Sequence, residues 1–437
     1  MATDDPHPST TTAPYVRRVV VLLKNPVSNL LFPARGVSRS PGSGLRLEPY
    51  VPSAQVMTQM SAGALPGPDS AADRLRRYYT VAVPEGVSAE EALASLAADD
   101  DILLAYLEPG PSPPPSPGDA NPLGPLQGYL DDAPIGISAR WAWTRTEGAE
   151  VGFVDLEQGW TLGHEDLSSM NIVLISGLNL HFRGHGTAVL GQIGARNNQL
   201  GGRGIATACA MRVVSEWQFG EVHNVAEAIT SAAAVMRKGD VLLLEAQTSY
   251  DLYEDIPVEV HDAVFDAVRV ACDAGIIVVE AAGNGGVDLD QFMTKDGHEL
   301  FKRESPTFRD SGAILVGSAT MGVPHHRLPG SCHGSRVDCF AWGEGVTTCG
   351  DGWEGDEIDT YTNEFDGTSA ASAVVAGAAV LSQAWWKKSK NRVLSPAQMR
   401  SMLSDPNLLL ANGSRHTASA NPAADRIGVM PNMRCLL

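Results

Sequence analysis

The sequence predicts an α/β protein: a mostly parallel sheet covered by helices on both faces, preceded by a small α+β domain. Two observations carry this. After residue 120, short apolar runs alternate with helical patterns. Before that, a proline-rich run over 108–118 separates this region from a different order of elements. Continuously apolar strands, unlike strands of alternating polarity, belong to sheets buried on both faces.

Each element has a local reason. Tyr15 to Lys24 reads as a strand rich in Val and Leu, and 26–72 reads as loop, full of Pro, Gly and Ser. Tyr78 to Val83 is a second strand. Ser88 with Glu91 three residues on is a capping box. It opens a helix whose apolar face is Ala92, Leu93, Leu96 and Ala97. Ile102 to Leu107 is a last strand. The run from Glu108 to Gly118 has few backbone donors, stays extended and acts as a linker. The expected division is therefore a small domain at 1–107, a linker at 108–127 and a large domain at 128–437. In the large domain the strands are Val151–Val154, Asn171–Ile175, Met211–Val214, Val241–Leu244, Ile276–Val279 and Ala313–Val316. Helical patterns run over Asn224–Arg237 and Val258–Ala274.

Composition narrows the function. The 437 residues carry a net charge of −19, which argues against nucleic acid as a partner, since phosphate contacts need clustered Lys and Arg. The apolar run Val19–Leu23 is far short of the ~20 residues that cross a bilayer, so no membrane partner is expected. It is equally short for a secretory signal, which leaves a cytoplasmic location or a non-standard export route. None of the six cysteines forms a C-x-x-C pair. Free thiols in a reducing compartment, or pairing among Cys332, Cys339 and Cys349 in an oxidising one, both remain open. The chain has no G-x-S-x-G elbow and no G-K-[ST], and His164-Glu165 lacks a second His four residues on. Those absences argue against an elbow-type hydrolase, a nucleotide cofactor and a zincin.

Four residues stand where parallel sheets place chemistry, at strand ends and helix starts. Asp155 follows an apolar strand. His185 lies in Gly184-His185-Gly186-Thr187. Asn284 lies in Ala282-Gly283-Asn284-Gly285. Ser369 lies in Gly367-Thr368-Ser369-Ala370 and opens an apolar run. A serine hydroxyl needs a base to become a nucleophile. Histidine serves near neutral pH, a buried carboxylate fixes its tautomer, and an amide donor stabilises an oxyanion. The flanking small residues leave room for a substrate backbone.

Their order and context resemble the subtilisin-like serine proteases, over Ile137 to Pro431. His164-Glu165-Asp166-Leu167 is similar to the stretch after the family's aspartate. Ser395-Pro396-Ala397-Gln398 and Arg426 to Pro431 are similar to its C-terminal segments. The resemblance implies a serine endopeptidase acting on protein or peptide substrates through an acyl-enzyme. It gives Asp155 as orienting carboxylate, His185 as general base and acid, Ser369 as nucleophile and Asn284 as oxyanion donor. It also implies that residues 1–107, a ferredoxin-like α+β domain ending in Leu104-Ala105-Tyr106-Leu107-Glu108-Pro109, are a propeptide that inhibits the enzyme until self-cleavage within 109–128. The chain then reads as a monomeric zymogen. A catalytically silent relative that binds peptides is the competing reading.

The departures point to specifics. Leu156 and Glu157 follow Asp155 where the family has Ser or Thr and then Gly, so a second carboxylate stands near. Ala370 and Ala373 replace the family's Met and Pro. Glu245-Ala246-Gln247 stands where the family's substrate-binding strand ends in Ser-Leu-Gly, and Glu280 precedes Ala281-Ala282-Gly283 where Ala is usual. By that correspondence Glu245, Ala246, Gln247, Glu280 and Gly283 line the substrate site. The two glutamates then favour Arg or Lys at P1, or else share a proton and serve structure. Ala195 to Gly202 resembles the family's calcium loop. It offers Asp166, the Asn198 side chain and the carbonyls of Arg196, Leu200 and Gly202 as oxygen ligands for structural Ca²⁺.

Overall fold

The computed structural model describes residues 18–24, 38–39, 46–50, 71–75, 77–83, 87–96, 99–108, 124–406, 417–418 and 426–437. Residues 15–17, Ala97 and the proline-rich run from 109 onward, singled out above, lie outside the described residues. The chain divides into two compact units, Met1–Tyr50 with Arg77–Gly110, and Val51–Arg76 with Pro111–Leu437.

In the first unit β1 (Arg18–Leu23), β2 (Ser38–Arg39), β3 (Arg46–Pro49), β4 (Tyr78–Ala82) and β5 (Ile102–Glu108) form an antiparallel sheet of order β2-β3-β4-β1-β5. The helix Ala89–Leu96 begins at the expected box: the Glu91 N–H donates to Ser88 Oγ at 3.1 Å, and the Ser88 N–H donates to Glu91 Oε2 at 2.9 Å. Ala92 and Leu96 join Val19, Val21 and Leu47 in one apolar cluster. Two features differ from expectation. The stretch expected as loop contains β2 and β3, short polar strands without an apolar pattern to reveal them. At its end a helix begins, Ala71–Leu75, that belongs to the second unit, where Arg74 Nε lies 2.8 Å from Asp266 Oδ2. The boundary at 107 therefore simplifies a division in which the chain changes units twice more.

The second unit continues with β6 (Gly152–Glu157), β7 (Val173–Leu174), β8 (Ala210–Ser215), β9 (Trp217–Gln218), β10 (Val222–His223), β11 (Val241–Leu244), β12 (Gln247–Tyr250) and β13 (Tyr253–Pro257). Then come β14 (Ile277–Ala281), β15 (Ile314–Ala319), β16 (Cys339–Trp342), β17 (Val346–Cys349), β18 (Tyr361–Phe365), β19 (Thr417–Ala418) and β20 (Val429–Met430). Among the described residues nine of these form one sheet, β19-β20-β16-β15-β14-β11-β6-β8-β7, parallel throughout except for β19 against β20. The interior strand β11 is buried at all four residues, as its unbroken Val-Leu-Leu-Leu run requires. The pairs β9–β10, β12–β13 and β17–β18 are separate hairpins.

Helices bring the remaining chemistry to the sheet. Arg183–Gly194 carries His185 in its first turn and Gly367–Lys390 carries Ser369 in its first turn. The second helix, at 24 residues, is long and apolar enough to cross a membrane by length and composition. It is buried from Thr368 to Ala384, so its apolarity is that of a core helix. All six cysteines are free thiols, so the pairing considered for Cys332, Cys339 and Cys349 is not formed.

Candidate active site

Ser369, His185 and Asn284 meet in one small cleft at the carboxyl ends of β6, β11 and β14. Glu157, Gln158, Glu245, Ala246, Gln247, Ala281 and Thr368 complete its walls. His185 is 2 % exposed and Ser369 6 %. The His185 ring stands edge-on to Phe365, with centroids 5.2 Å apart. Its backbone N–H donates to the Trp353 carbonyl at 2.8 Å. The glycines beside it serve the protein's own packing rather than a substrate backbone. A Cβ on Gly184 would meet the Asp351 side chain, and one on Gly186 the Gly159 carbonyl.

The carboxylate at His185 is not the expected one. His185 Nδ1 is hydrogen-bonded to Glu157 Oε1, and Glu157 Oε2 accepts the Gln158 N–H at 3.1 Å. Asp155 instead accepts the Trp160 indole N–H on Oδ2 at 2.7 Å, while its Oδ1 closes no hydrogen bond. The reason lies in the strand. β6 continues in parallel register with β8 as far as Glu157 opposite Ser215. Residues two apart share a face, about 6.6 Å further along. Asp155 and Glu157 therefore point the same way, and the outer one meets the histidine. The signal was legible: the family's Gly is missing and a second acid stands at i+2.

Burial dominates the electrostatics. It raises Asp155, Glu157 and Glu245 well above the usual carboxylate range, and neighbouring acids add to each shift: Glu157 on Asp155, Glu216 on Glu157, and Glu157 with Asp155 on Glu245. Burial also pushes His185 down to about 4, against the pull of Asp155, Glu216 and Asp366. The resting imidazole is therefore neutral. With Nδ1–H on Glu157, its Nε2 is a lone pair, and that atom closes no hydrogen bond. Glu216 is engaged elsewhere, with Oε2 2.7 Å from His223 Nε2.

Asn284 is held on three sides. Its Oδ1 accepts the Thr368 N–H at 2.9 Å, while its own N–H and Nδ2 both donate to Gln247 Oε1, at 3.1 and 3.0 Å. Gly283 takes a positive φ of 93° and is used by the backbone, its N–H donating to Thr368 Oγ1 at 3.2 Å and its carbonyl accepting from Cys332. It does not line the cleft. Glu280 does not either. One residue before Ala281 on β14, it faces the other side of the sheet and its Oε1 accepts the Glu259 N–H at 3.2 Å. Glu259 in turn meets buried Arg336, whose Nε lies 2.9 Å from Glu259 Oε1 and whose Nη1 lies 2.9 Å from Asp338 Oδ2. Strand alternation thus removes Glu280 from the substrate site and assigns it to a buried ionic network. Ser372, absent from the expected set, donates to Glu245 Oε1 at 2.6 Å. It sits one helical turn beyond Ser369 in the same Ala-Ala-Ser string.

At the candidate calcium loop, the Arg196 N–H donates to the Asp166 carbonyl at 3.1 Å and the Leu200 N–H to Asn198 Oδ1 at 3.1 Å. Asp166 is fully buried, and its Oδ1 closes no hydrogen bond. Tyr361 has one hydroxyl hydrogen for Asp166 Oδ2 at 3.0 Å and Glu165 Oε1 at 2.7 Å. The Asn198 side chain hydrogen-bonds to the Asp166 carboxyl group, and carboxylate and amide oxygens are hard donors. Among the described residues no group of three or more His, Cys, Asp or Glu could hold a metal ion, so any cation here would rest mainly on neutral oxygens.

The subtilase family profile matches residues 177–423, more than half of the chain. The chain therefore belongs to the subtilase family. It is 28% identical over 294 residues to an intracellular serine protease of Paenibacillus polymyxa, covering 64% of this chain and 80% of that one. It is 26% identical over 288 residues to the major intracellular serine protease of Bacillus subtilis, covering 61% and 79%. Its fold is similar to that of fervidolysin from Fervidobacterium pennivorans, a keratinolytic enzyme related to subtilisin, with a TM-score of 0.57, 16% identity, and coverage of 98% of this chain and 61% of that one. The protein is a serine endopeptidase of subtilisin type. The profile match begins after β6, so the strand with the displaced carboxylate lies outside it.

Proposed function

We propose that this endopeptidase works through a Glu157–His185–Ser369 triad with Asn284 as oxyanion donor, and that it is made as a self-processing zymogen. The observation that carries the triad is the hydrogen bond between His185 Nδ1 and Glu157. His185 Nε2 takes the Ser369 proton as Oγ attacks the substrate carbonyl carbon, and returns it to the leaving amine. Glu157 stabilises the imidazolium between those steps. The second Nδ2 hydrogen of Asn284, beyond the one on Gln247, is available to the oxyanion. Asp155 is a structural carboxyl that anchors Trp160.

The zymogen reading rests on an independent first unit followed by a proline-rich run. Wild type, Ser369→Ala, Glu157→Gln and Asp155→Asn should be followed on gels with a fluorophosphonate probe. Wild type and Asp155→Asn should split near residue 120 and take label. Ser369→Ala should do neither, and Glu157→Gln should lose activity by about 10⁴-fold, the usual cost of neutralising an orienting carboxylate. The reverse order of the two acid variants restores Asp155 to the triad.

A preference for basic P1 residues keeps one carboxylate of the two first considered, and Glu245 is already bonded by Ser372. We therefore propose a pocket not selected by charge. Fluorogenic peptides differing only in Arg, Leu or Phe at P1 should give kcat/KM values within about tenfold of one another, a difference of about 1.4 kcal/mol. A larger advantage for Arg contradicts this.

Calcium is proposed as structural, held by Asp166, Asn198 and the carbonyls of Arg196, Leu200 and Gly202. A chelator should lower the melting temperature and added Ca²⁺ restore it; an unchanged melting curve rejects the site.

A further inference from the structure

One group in the catalytic cleft has no part in the mechanism above. Glu245 stands directly after β11, is almost fully buried, and its backbone N–H donates to the Leu156 carbonyl at 3.1 Å. Its side chain enters the cleft that holds Ser369, His185 and Asn284. Oε1 faces Ser372. Oε2 is buried and closes no hydrogen bond, and the Ser369 hydroxyl is near enough to the carboxyl group to favour its charged form.

The groups around it decide its protonation. Asp155 and Glu157 face it from β6, Ser369 and Ser372 from the helix Gly367–Lys390, and His185, neutral at rest, from the helix Arg183–Gly194. No cation is among them. Two more acids and a dry pocket make a negative charge costly. Ser372 also has one hydroxyl hydrogen for two acceptors, Glu245 Oε1 at 2.6 Å and the Ser369 carbonyl at 2.9 Å. A carboxyl that accepts little and is surrounded by acids holds its proton.

We propose that Glu245 is a catalytic residue that acts as a neutral carboxylic acid, its Oε2–H donating to Ser369 Oγ. The proposal rests on Ser369 being the nucleophile. The hydroxyl proton still passes from Oγ to His185 Nε2, and Oγ bonds to the carbonyl carbon as the carbonyl π pair moves onto oxygen. The Glu245 O–H bond stays intact throughout. Its hydrogen bond makes Oγ easier to ionise before attack and a better leaving atom in deacylation. Burial raises Glu245 well above the usual carboxylate range. The donor is therefore present below that raised value and lost as pH rises through it. The stability tied to that proton is full below ~4.3, where a Glu of the unfolded chain titrates, falls as pH rises from there to the raised folded value, and levels off above it.

The test compares wild type, Glu245→Gln and Glu245→Ala for fluorophosphonate labelling rate and melting temperature from acid to alkaline pH. The amide is isosteric, neutral at every pH, and keeps a donor. Wild type should lose labelling rate and melting temperature as pH rises, whereas Glu245→Gln should stay within about tenfold of the wild-type maximum, keep its labelling rate through that rise, and show a smaller fall in melting temperature, since Asp155 and Glu157 still titrate. Glu245→Ala should label about 100-fold more slowly at all pH values, the typical effect of removing one such donor. If Glu245→Gln labels as poorly as Glu245→Ala, or wild type labels faster as Glu245 ionises, the residue is a base and the proposal is overturned. If Glu245→Gln keeps the wild-type pH dependence in both readouts, Glu245 has no such role. Melting temperature separates the two readings. A wild type that never labels, yet shows a fall in melting temperature with rising pH that is smaller in Glu245→Gln, refutes the triad reading and with it the catalytic role, while leaving the neutral carboxyl established.

Discussion

The length of β6 sets the rest of the site. A parallel strand that ended at Asp155 would present that carboxylate to the histidine. This one runs two residues further, paired with β8 to its last residue. Because side chains repeat every two residues, the extension keeps the same face and moves the carboxylate outward by about one pleat repeat. Everything opposite must fit the new position: His185 meets Glu157, Trp160 folds back onto Asp155, and the glycines around His185 allow the surrounding loops to close in.

The second constraint is charge. Asp155, Glu157, Glu216 and Glu245 gather in and around the ends of adjacent strands; the imidazole of His185 meets Glu157 and that of His223 meets Glu216, while Asp155 and Glu245 have neutral donors, Trp160 and Ser372. Elsewhere the protein handles burial differently. Glu259, Asp338 and Glu280 surround Arg336, whose guanidinium is held charged by them. A buried acid is tolerated when it is paired with a cation or left protonated. In the cleft, Glu157 is paired with the His185 imidazole, and the second course is the one proposed for Glu245.

Much of this was legible in the sequence. The parallel strands were visible as unbroken apolar runs, the capping box at Ser88 as a spacing, and His185, Asn284 and Ser369 as residues in small-residue contexts at strand ends. What escaped was information about faces and partners. A motif places Asp155 after a strand, but only the paired length of β6 shows that the strand has not yet ended there. Glu280 and Ala281 are neighbours in sequence and lie on opposite sides of a sheet, so a correspondence read residue by residue assigned the wrong one to the cleft. β2 and β3 carry no apolar alternation, and Ala71–Leu75 is too short to show a helical period. Their places are fixed by tertiary contacts, which leave no local pattern.

The most direct test of the carboxylate exchange is NMR on the enzyme with ¹⁵N-labelled histidine, following the His185 Nδ1 proton in wild type, Glu157→Gln and Asp155→Asn. A hydrogen bond from Nδ1 to a buried carboxylate should give a strongly deshielded, slowly exchanging proton in wild type. That resonance should persist in Asp155→Asn and be lost or shifted far upfield in Glu157→Gln. A resonance that survives in Glu157→Gln and vanishes in Asp155→Asn would return Asp155 to the histidine and contradict the account built on the length of β6.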